Sequence, residues 1–183
     1  QSLTTSGSED LALSDLPTLG EYSPEGISTV EGAGQATPAT QTAFPVHLSI
    51  SSVGIDLPVQ NPKTTDVDAL DALLQKGPAR YSASAKLGEN GNVVIFAHSS
   101  HLPIVHNKMF QAFNNVPEAR AGDTVAIEGS DGKEYIYSVD SVVKADTQSG
   151  TTIPLVADGK KLTLVTCDTL TGKSARYILT ASF

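Results

Sequence analysis

From Phe44 to Phe183 the chain is a succession of short apolar runs of strand length, cut by turn residues, with one clear helix-period segment among them. That rhythm, with one clear helix and no long ones, favours a closed barrel or a sandwich. "FPVHLSISSVGIDLPVQ" (44–60) alternates and breaks near Gly54. "ARYSASA" is a weak strand, and "GNVVIFAH" (91–98) is a short apolar one after the turn "GENG". "GDTVAIEG", "KEYIYSVDSVVKA", "KLTLVTC" and "RYILTASF" are four more, and "SDG" at 130–132 reads as a hairpin turn. In "TTDVDALDALLQKG", Val67, Leu70, Leu73 and Leu74 share one helical face; Thr65 or Asp66 caps the start and Gly77 lies past the end. "NKMFQAFNNV" is expected to form one helical turn that buries Met109, Phe110 and Phe113. Seven or eight strands without a long helix predict a mostly β fold, either a closed barrel or a sandwich.

Residues 1–43 have a different texture. They are rich in Ser, Thr, Gly and Pro and carry acids but no Lys or Arg; the first base of the chain is Lys63. Such a stretch buries too little apolar surface to offset its ordering entropy, so it is expected to be a flexible acidic linker. Fully extended it reaches about 140 Å. The remainder, 44–183, is expected to be one domain. Over 183 residues the net charge is −8, which argues against nucleic acid as the main partner. No run approaches the 18 apolar residues of a membrane span. The sequence has neither an initiating Met nor a signal peptide, so any membrane anchor is expected upstream of residue 1.

Cys167 is the only cysteine, which rules out an internal disulfide and a multi-cysteine zinc site. It stands at the end of the apolar run "KLTLVTC", just as His98 ends "NVVIFAH". Two strands that end together would set both side chains on one rim. The connection "DTLTGKSA" is short enough to bring the next strand back beside the first, with Arg176 near Cys167. A thiol nucleophile needs a lowered pKa or a nearby base, a proton donor for the leaving amine, and a stabiliser for the oxyanion. Spacing alone makes this arrangement feasible without compelling it. The thiol is expected to meet solvent at the strand exit, where a peptide can reach it.

At these residues the chain resembles the sortases, cysteine transpeptidases of bacterial cell surfaces. "LTLVTC" (162–167) resembles their TLxTC signature, "GENGNVVIFAHSS" (88–100) the stretch leading into their catalytic histidine, and "ARYILTASF" (175–183) their terminal strand, which opens with the catalytic arginine. "GPARYSASAKLGENGN" and "AGDTV" fall in the same order, so the resemblance covers 44–183. It implies a closed eight-stranded β-barrel with one or two short helices. It implies Cys167 as nucleophile, His98 as catalytic histidine and Arg176 as catalytic arginine, with the backbone or hydroxyl of Thr166 helping to hold the oxyanion. Ala97 departs from the Gly that many members carry before the histidine.

The resemblance further implies cleavage of a Leu-Pro-x-Thr-Gly-like sorting signal through a thioacyl-enzyme, at the extracytoplasmic face of a bacterial membrane. The implied partners are surface proteins bearing that signal and an amine nucleophile from a cell-wall precursor or a pilin-like subunit. The loop before the cysteine strand implies a groove wall, where Ile153, Pro154, Leu155 and Val156 offer apolar contact or else pack into the core. "LPTLG" (Leu16, Pro17, Thr18, Leu19, Gly20) looks like a scrambled sorting signal and is a candidate lid, with plain linker composition as the alternative.

Other readings stay open. A hydrolytic cysteine peptidase on the same fold and a non-catalytic surface β-barrel binding module with an inert thiol both fit the pattern. His98, His101 and His106 do not match a metal-ligand spacing; His101 and His106 read as loop residues and His47 as an ordinary strand residue. No cofactor is expected, although the acidic turn "SDGKE" is a candidate Ca²⁺ contact.

Overall fold

The computed structural model describes residues 10–12, 42–100, 102–146, 150–168 and 175–183. Its strands are β1 (Asp10–Ala12), β2 (Pro45–Ile50), β3 (Ile55–Pro58), β4 (Ala79–Arg80), β5 (Gly91–Ser99), β6 (Thr124–Gly129), β7 (Glu134–Asp146), β8 (Thr152–Pro154), β9 (Lys160–Asp168) and β10 (Ala175–Ser182). The one α-helix among the described residues is α1 (Val67–Leu74); single 3-10 turns cover Ser51–Val53, Lys108–Gln111 and Val116–Glu118. Eight strands form one sheet in the order β3-β2-β6-β7-β10-β9-β5-β4, and β1 pairs with β8 as a separate ribbon. Every neighbouring pair in the large sheet is antiparallel except β5 and β9.

The expected closed barrel is corrected here. The sheet curls into a half-barrel, and its edge strands β3 and β4 meet only through one isolated bridge, Gln60 with Ala79. Prolines explain the gap. Pro58 ends β3, Pro62 follows it and Pro78 precedes β4, so backbone donors are missing on both sides of the seam. The two bonds that do form use the non-proline donors: Gln60 N to Pro78 O at 2.8 Å and Arg80 N to Gln60 O at 2.8 Å.

Strand alternation divides the buried residues between two faces. Inside the curl, Val93, Ile95 and Ala97 of β5 meet Leu162 and Leu164 of β9, Leu179 and Ala181 of β10, and Leu48, Ile127 and Tyr137. On the outer face, Val94, Phe96, Val165, Cys167 and Ile178 pack under Leu70 and Leu74 of α1 and Ile153 of β8. β5 is therefore covered on both sides, which is why its sequence is apolar throughout rather than alternating. Helix α1 is held over this face at both ends. Asp66 caps it, Oδ1 accepting from Ala69 N at 2.8 Å, and Gln60 Nε2 donates to Leu73 O in its last turn and to Gly77 O just beyond it. The buried Asn92 holds the β8 segment down, donating from Nδ2 to Pro154 O at 2.7 Å and from its backbone N to Leu155 O at 3.0 Å.

The strand β1 falls in the stretch read as linker. Its three residues pair antiparallel with β8, Leu11 opposite Ile153. The candidate lid residues Leu16–Gly20 lie outside the described residues.

Candidate active site

His98 and Cys167 are each the second-last residue of their strands, and the parallel register of β5 and β9 makes them direct partners. Parallel partners project to the same face, with strands about 4.8 Å apart. On the other flank of β9, β10 runs antiparallel and its pairing ends at Ile178 opposite Val165; Arg176 lies two residues beyond, on the same face as Ile178, and its guanidinium bonds the Cys167 thiol. Imidazole, thiol and guanidinium thus stand in one row across β5, β9 and β10. The row lies at the strand ends, on the outer face.

At that end a side chain takes over from the backbone ladder: Tyr177 N donates to Thr166 Oγ1 at 2.9 Å. Thr166 points to the opposite face from Cys167, and its hydroxyl ties the start of β10 to β9 beside Arg176 and Cys167. The end of β5 is clamped as well. Asn114 accepts from Ser100 N and donates to Ser100 O, both at 2.8 Å, and Phe113 N donates to His98 O at 3.0 Å.

The three side chains are nearly sealed, with 0% exposure for Cys167 and His98 and 2% for Arg176. This corrects the expectation of a solvent-open thiol. Leu70 and Leu74 from α1 and Ile153 from β8 share its apolar cluster, and a strand exit is closed wherever other elements lie across it. Burial pushes the Cys167 thiol pKa up; the charge of the Arg176 guanidinium and its hydrogen bond to the thiol pull the pKa back down, and Asp71 adds a weaker upward push. Burial pushes His98 down from its ordinary value, while Asp71 and then backbone groups of Cys167 and Asp71 raise it. Asp71 Oδ1 is 3.7 Å from His98 Nε2, and neither ring nitrogen makes a hydrogen bond. The ring of Phe110 lies 5.3 Å from that of His98, tilted by 33°.

Of the other sequence candidates, Ile153 is buried in the cluster that holds Cys167 and Leu155 packs against it. Val156 is 68% exposed and stands away from that cluster. A cavity of about 350 Å³ adjoins this wall, between Ile153 and Pro154 on one side and Asn92, Thr163, Ile178 and Thr180 on the other. Its floor comes from the same three strands as the row above. His47 pairs with Asp56 and His106 is exposed; His101 lies outside the described residues. Phe110 and Met109, expected to be buried, are half-buried, whereas Phe113 is fully covered. Among the described residues no three His, Cys, Asp or Glu side chains are grouped as metal ligands.

Asp71 and Asn114 were not among the sequence candidates. Asp71 had a signal: it is an acid next to Leu70 and close to Leu74 on the edge of the buried helix face. Asn114 had none, because only the tertiary structure brings it to the end of β5.

The sortase-domain family model matches residues 48–183. The chain belongs to the sortase family. Solved sortases share the fold at low identity. Sortase C2 of Group B Streptococcus Pilus Island 1 is 20% identical with a TM-score of 0.58, over 78% of this chain and 75% of that one. Sortase A from Corynebacterium diphtheriae is 22% identical with a TM-score of 0.56, over 78% of this chain and 61% of that one. Sortase A from Listeria monocytogenes is 18% identical with a TM-score of 0.53, over 78% and 87% respectively. This sortase spans 62% of the chain of Sortase C1 of GBS Pilus Island 1. A search of curated proteins returns no match. Among the described residues no helix is long and apolar enough to cross a membrane.

Proposed function

We propose that this sortase is a cysteine transpeptidase acting on Leu-Pro-x-Thr-Gly-like sorting signals, with Cys167, His98 and Arg176 as its catalytic residues. The observation that carries the reading is the register pairing of His98 with Cys167, with Arg176 on the opposite flank. His98 takes the Cys167 proton, and the thiolate Sγ attacks the carbonyl carbon of the signal's Thr. As the C–N bond breaks, the His98 imidazolium gives its proton to the leaving amine, and the acyl group stays on sulfur as a thioester. An incoming amine then attacks that carbonyl and gives up a proton to His98; the C–S bond breaks and the thiolate returns. Arg176 and nearby backbone N–H groups stabilise the oxyanion in both steps. Ile153 and Leu155 form the apolar wall that receives the Leu-Pro portion.

Because Cys167 is covered, the groove opens before substrate enters, and the cover that shifts is α1 or the β8 segment. Residues 44–183 serve as the catalytic domain and 1–43 as a tether, with 16–20 as the candidate lid; the pairing of Asp10–Ala12 with β8 is the contact that supports a role of the tail at the groove wall. The enzyme works at the extracytoplasmic face of a bacterial membrane. Its acyl donors are surface proteins with a C-terminal signal, and its acceptor is a cell-wall precursor or a pilin-like subunit. Pilus sortases among the structural neighbours support the pilin alternative. The proposed steps call on no cofactor, with the SDGKE turn left as a candidate Ca²⁺ contact.

The test is a panel of sorting-signal peptides with and without added triglycine, read by product mass. Transpeptidation predicts a triglycine adduct that replaces the hydrolysed product. Hydrolysis unaffected by the amine would favour a plain peptidase. Full burial of Cys167 favours one further reading, a non-catalytic barrel with an inert thiol; that thiol would resist iodoacetamide in the folded protein and no peptide would acylate it.

A further inference from the structure

We propose that Asp71 is the positioning residue for His98: its carboxylate, presented by α1, orients the imidazole and favours its protonation beside the thiol. The inference deepens the transpeptidase reading and rests on it for its catalytic half. Asp71 Oδ1 is 3.7 Å from Nε2, with side-chain exposures of 22% for Asp71 and 1% for His98. Neither ring nitrogen has a hydrogen-bond partner of good geometry, and the Asp71 carboxylate is a charged group placed to fix the ring electrostatically, beside the backbone of Cys167 and Asp71. It is held in place by the N-cap of α1 and by Leu70 and Leu74, which anchor the helix on either side of it.

Charge balance argues the same way. The groups around His98 are Asp71 from α1, Cys167 from β9 and the uncharged Phe110 ring from the Lys108–Gln111 turn, while the Arg176 guanidinium from β10 faces the Cys167 thiol. In the reactive state the row holds two cations, imidazolium and guanidinium, and one anion, the thiolate. A sealed site with a net positive charge is costly, because burial magnifies unpaired charge. Asp71 brings the count to two and two.

The carboxylate acts on both titrating groups in one direction. It favours protonated His98 and protonated Cys167. Removing it therefore moves both midpoints to lower pH, whichever group governs which limb of the rate profile.

The experiment uses the full chain as wild type, Asp71→Asn, Asp71→Glu and Asp68→Asn. Asp68 is an exposed acid on the same helix and controls for loss of charge alone. The His98 imidazole is titrated by NMR, and peptide acylation is followed against pH. Asp71→Asn is expected to shift the His98 midpoint and both limbs of the acylation profile to lower pH. It is also expected to cut kcat by about 10- to 100-fold through misplacement of the ring, with KM little changed. Asp71→Glu should restore part of the rate, and Asp68→Asn should leave the profile in place. An unmoved His98 midpoint in Asp71→Asn, an equal shift in Asp68→Asn, or a shifted midpoint with an unshifted rate profile would overturn the proposal. A wild type that no sorting peptide acylates would instead sink the transpeptidase reading, and the titration would still decide the ion pair.

Discussion

Thr166→Val isolates the tie between β9 and β10. Valine matches threonine in shape but has no acceptor, so the substitution removes the 2.9 Å bond from Tyr177 N to Thr166 Oγ1 and little else. Thr166 is 2% exposed, and water has poor access to replace it. A backbone donor left without a partner in such a place costs about 1–3 kcal/mol. For a protein of this size that lowers Tm by about 2–12 °C. The functional cost goes through Arg176, the residue before Tyr177. If β10 lifts from β9, the guanidinium moves away from Cys167, and under the proposed role of Arg176 the loss of one oxyanion stabiliser costs up to about 10²–10³ in rate. Thr166→Ser keeps the acceptor and should retain most of both properties. Melting followed by circular dichroism and acylation followed by mass spectrometry read the two effects separately. A Thr166→Val protein that melts within a degree of wild type would refute the tie. One that melts early but acylates at the wild-type rate would refute its role in placing Arg176.

Leu74 is fully buried between α1 and the outer face of the sheet; Leu74→Ala should cost about 2–5 kcal/mol in urea unfolding and loosen the helix that carries Asp71. A loss under 1 kcal/mol would mean that α1 is not packed as described. Stability should also depend on pH with a definite sign. Burial sets His98 below its ordinary value of 6.5, so the unfolded chain binds that proton more tightly and stability falls as pH drops through 6.5. Burial sets Cys167 above its ordinary value of 9.0, so the unfolded thiol ionises first and stability falls again as pH rises past 9.0. Denaturant midpoints across pH check both limbs, and Cys167→Ala should flatten the alkaline one.

The convergence of His98 and Cys167 was legible because both end apolar runs of similar length, and two such runs side by side align their ends. The return of Arg176 was readable only as a possibility, because a short connection allows the next strand to come back beside β9 without requiring it. Capping by Asp66 and the break at Gly54, which takes a left-handed φ of 68°, followed from local chemistry. The open seam was not legible, because it depends on prolines from two distant segments facing each other. β8 and β1 are three residues each and pair through their backbones, so no apolar period announces them. The burial of Cys167 comes from α1 and the β8 segment lying across a strand exit that looks open in isolation. The approach of Asp71 to His98 joins a helix to a strand end through one contact, which no spacing rule encodes.

Intact-protein mass spectrometry after mixing with a Leu-Pro-x-Thr-Gly peptide tests most directly whether the buried row of Cys167, His98 and Arg176 is a working nucleophilic centre. The row predicts a covalent increment equal to the acyl fragment through Thr, located on Cys167, lost in Cys167→Ala and strongly slowed in His98→Ala and Arg176→Ala. Peptide cleavage that persists in Cys167→Ala, or a wild-type mass that never changes across a panel of sorting signals, would contradict it.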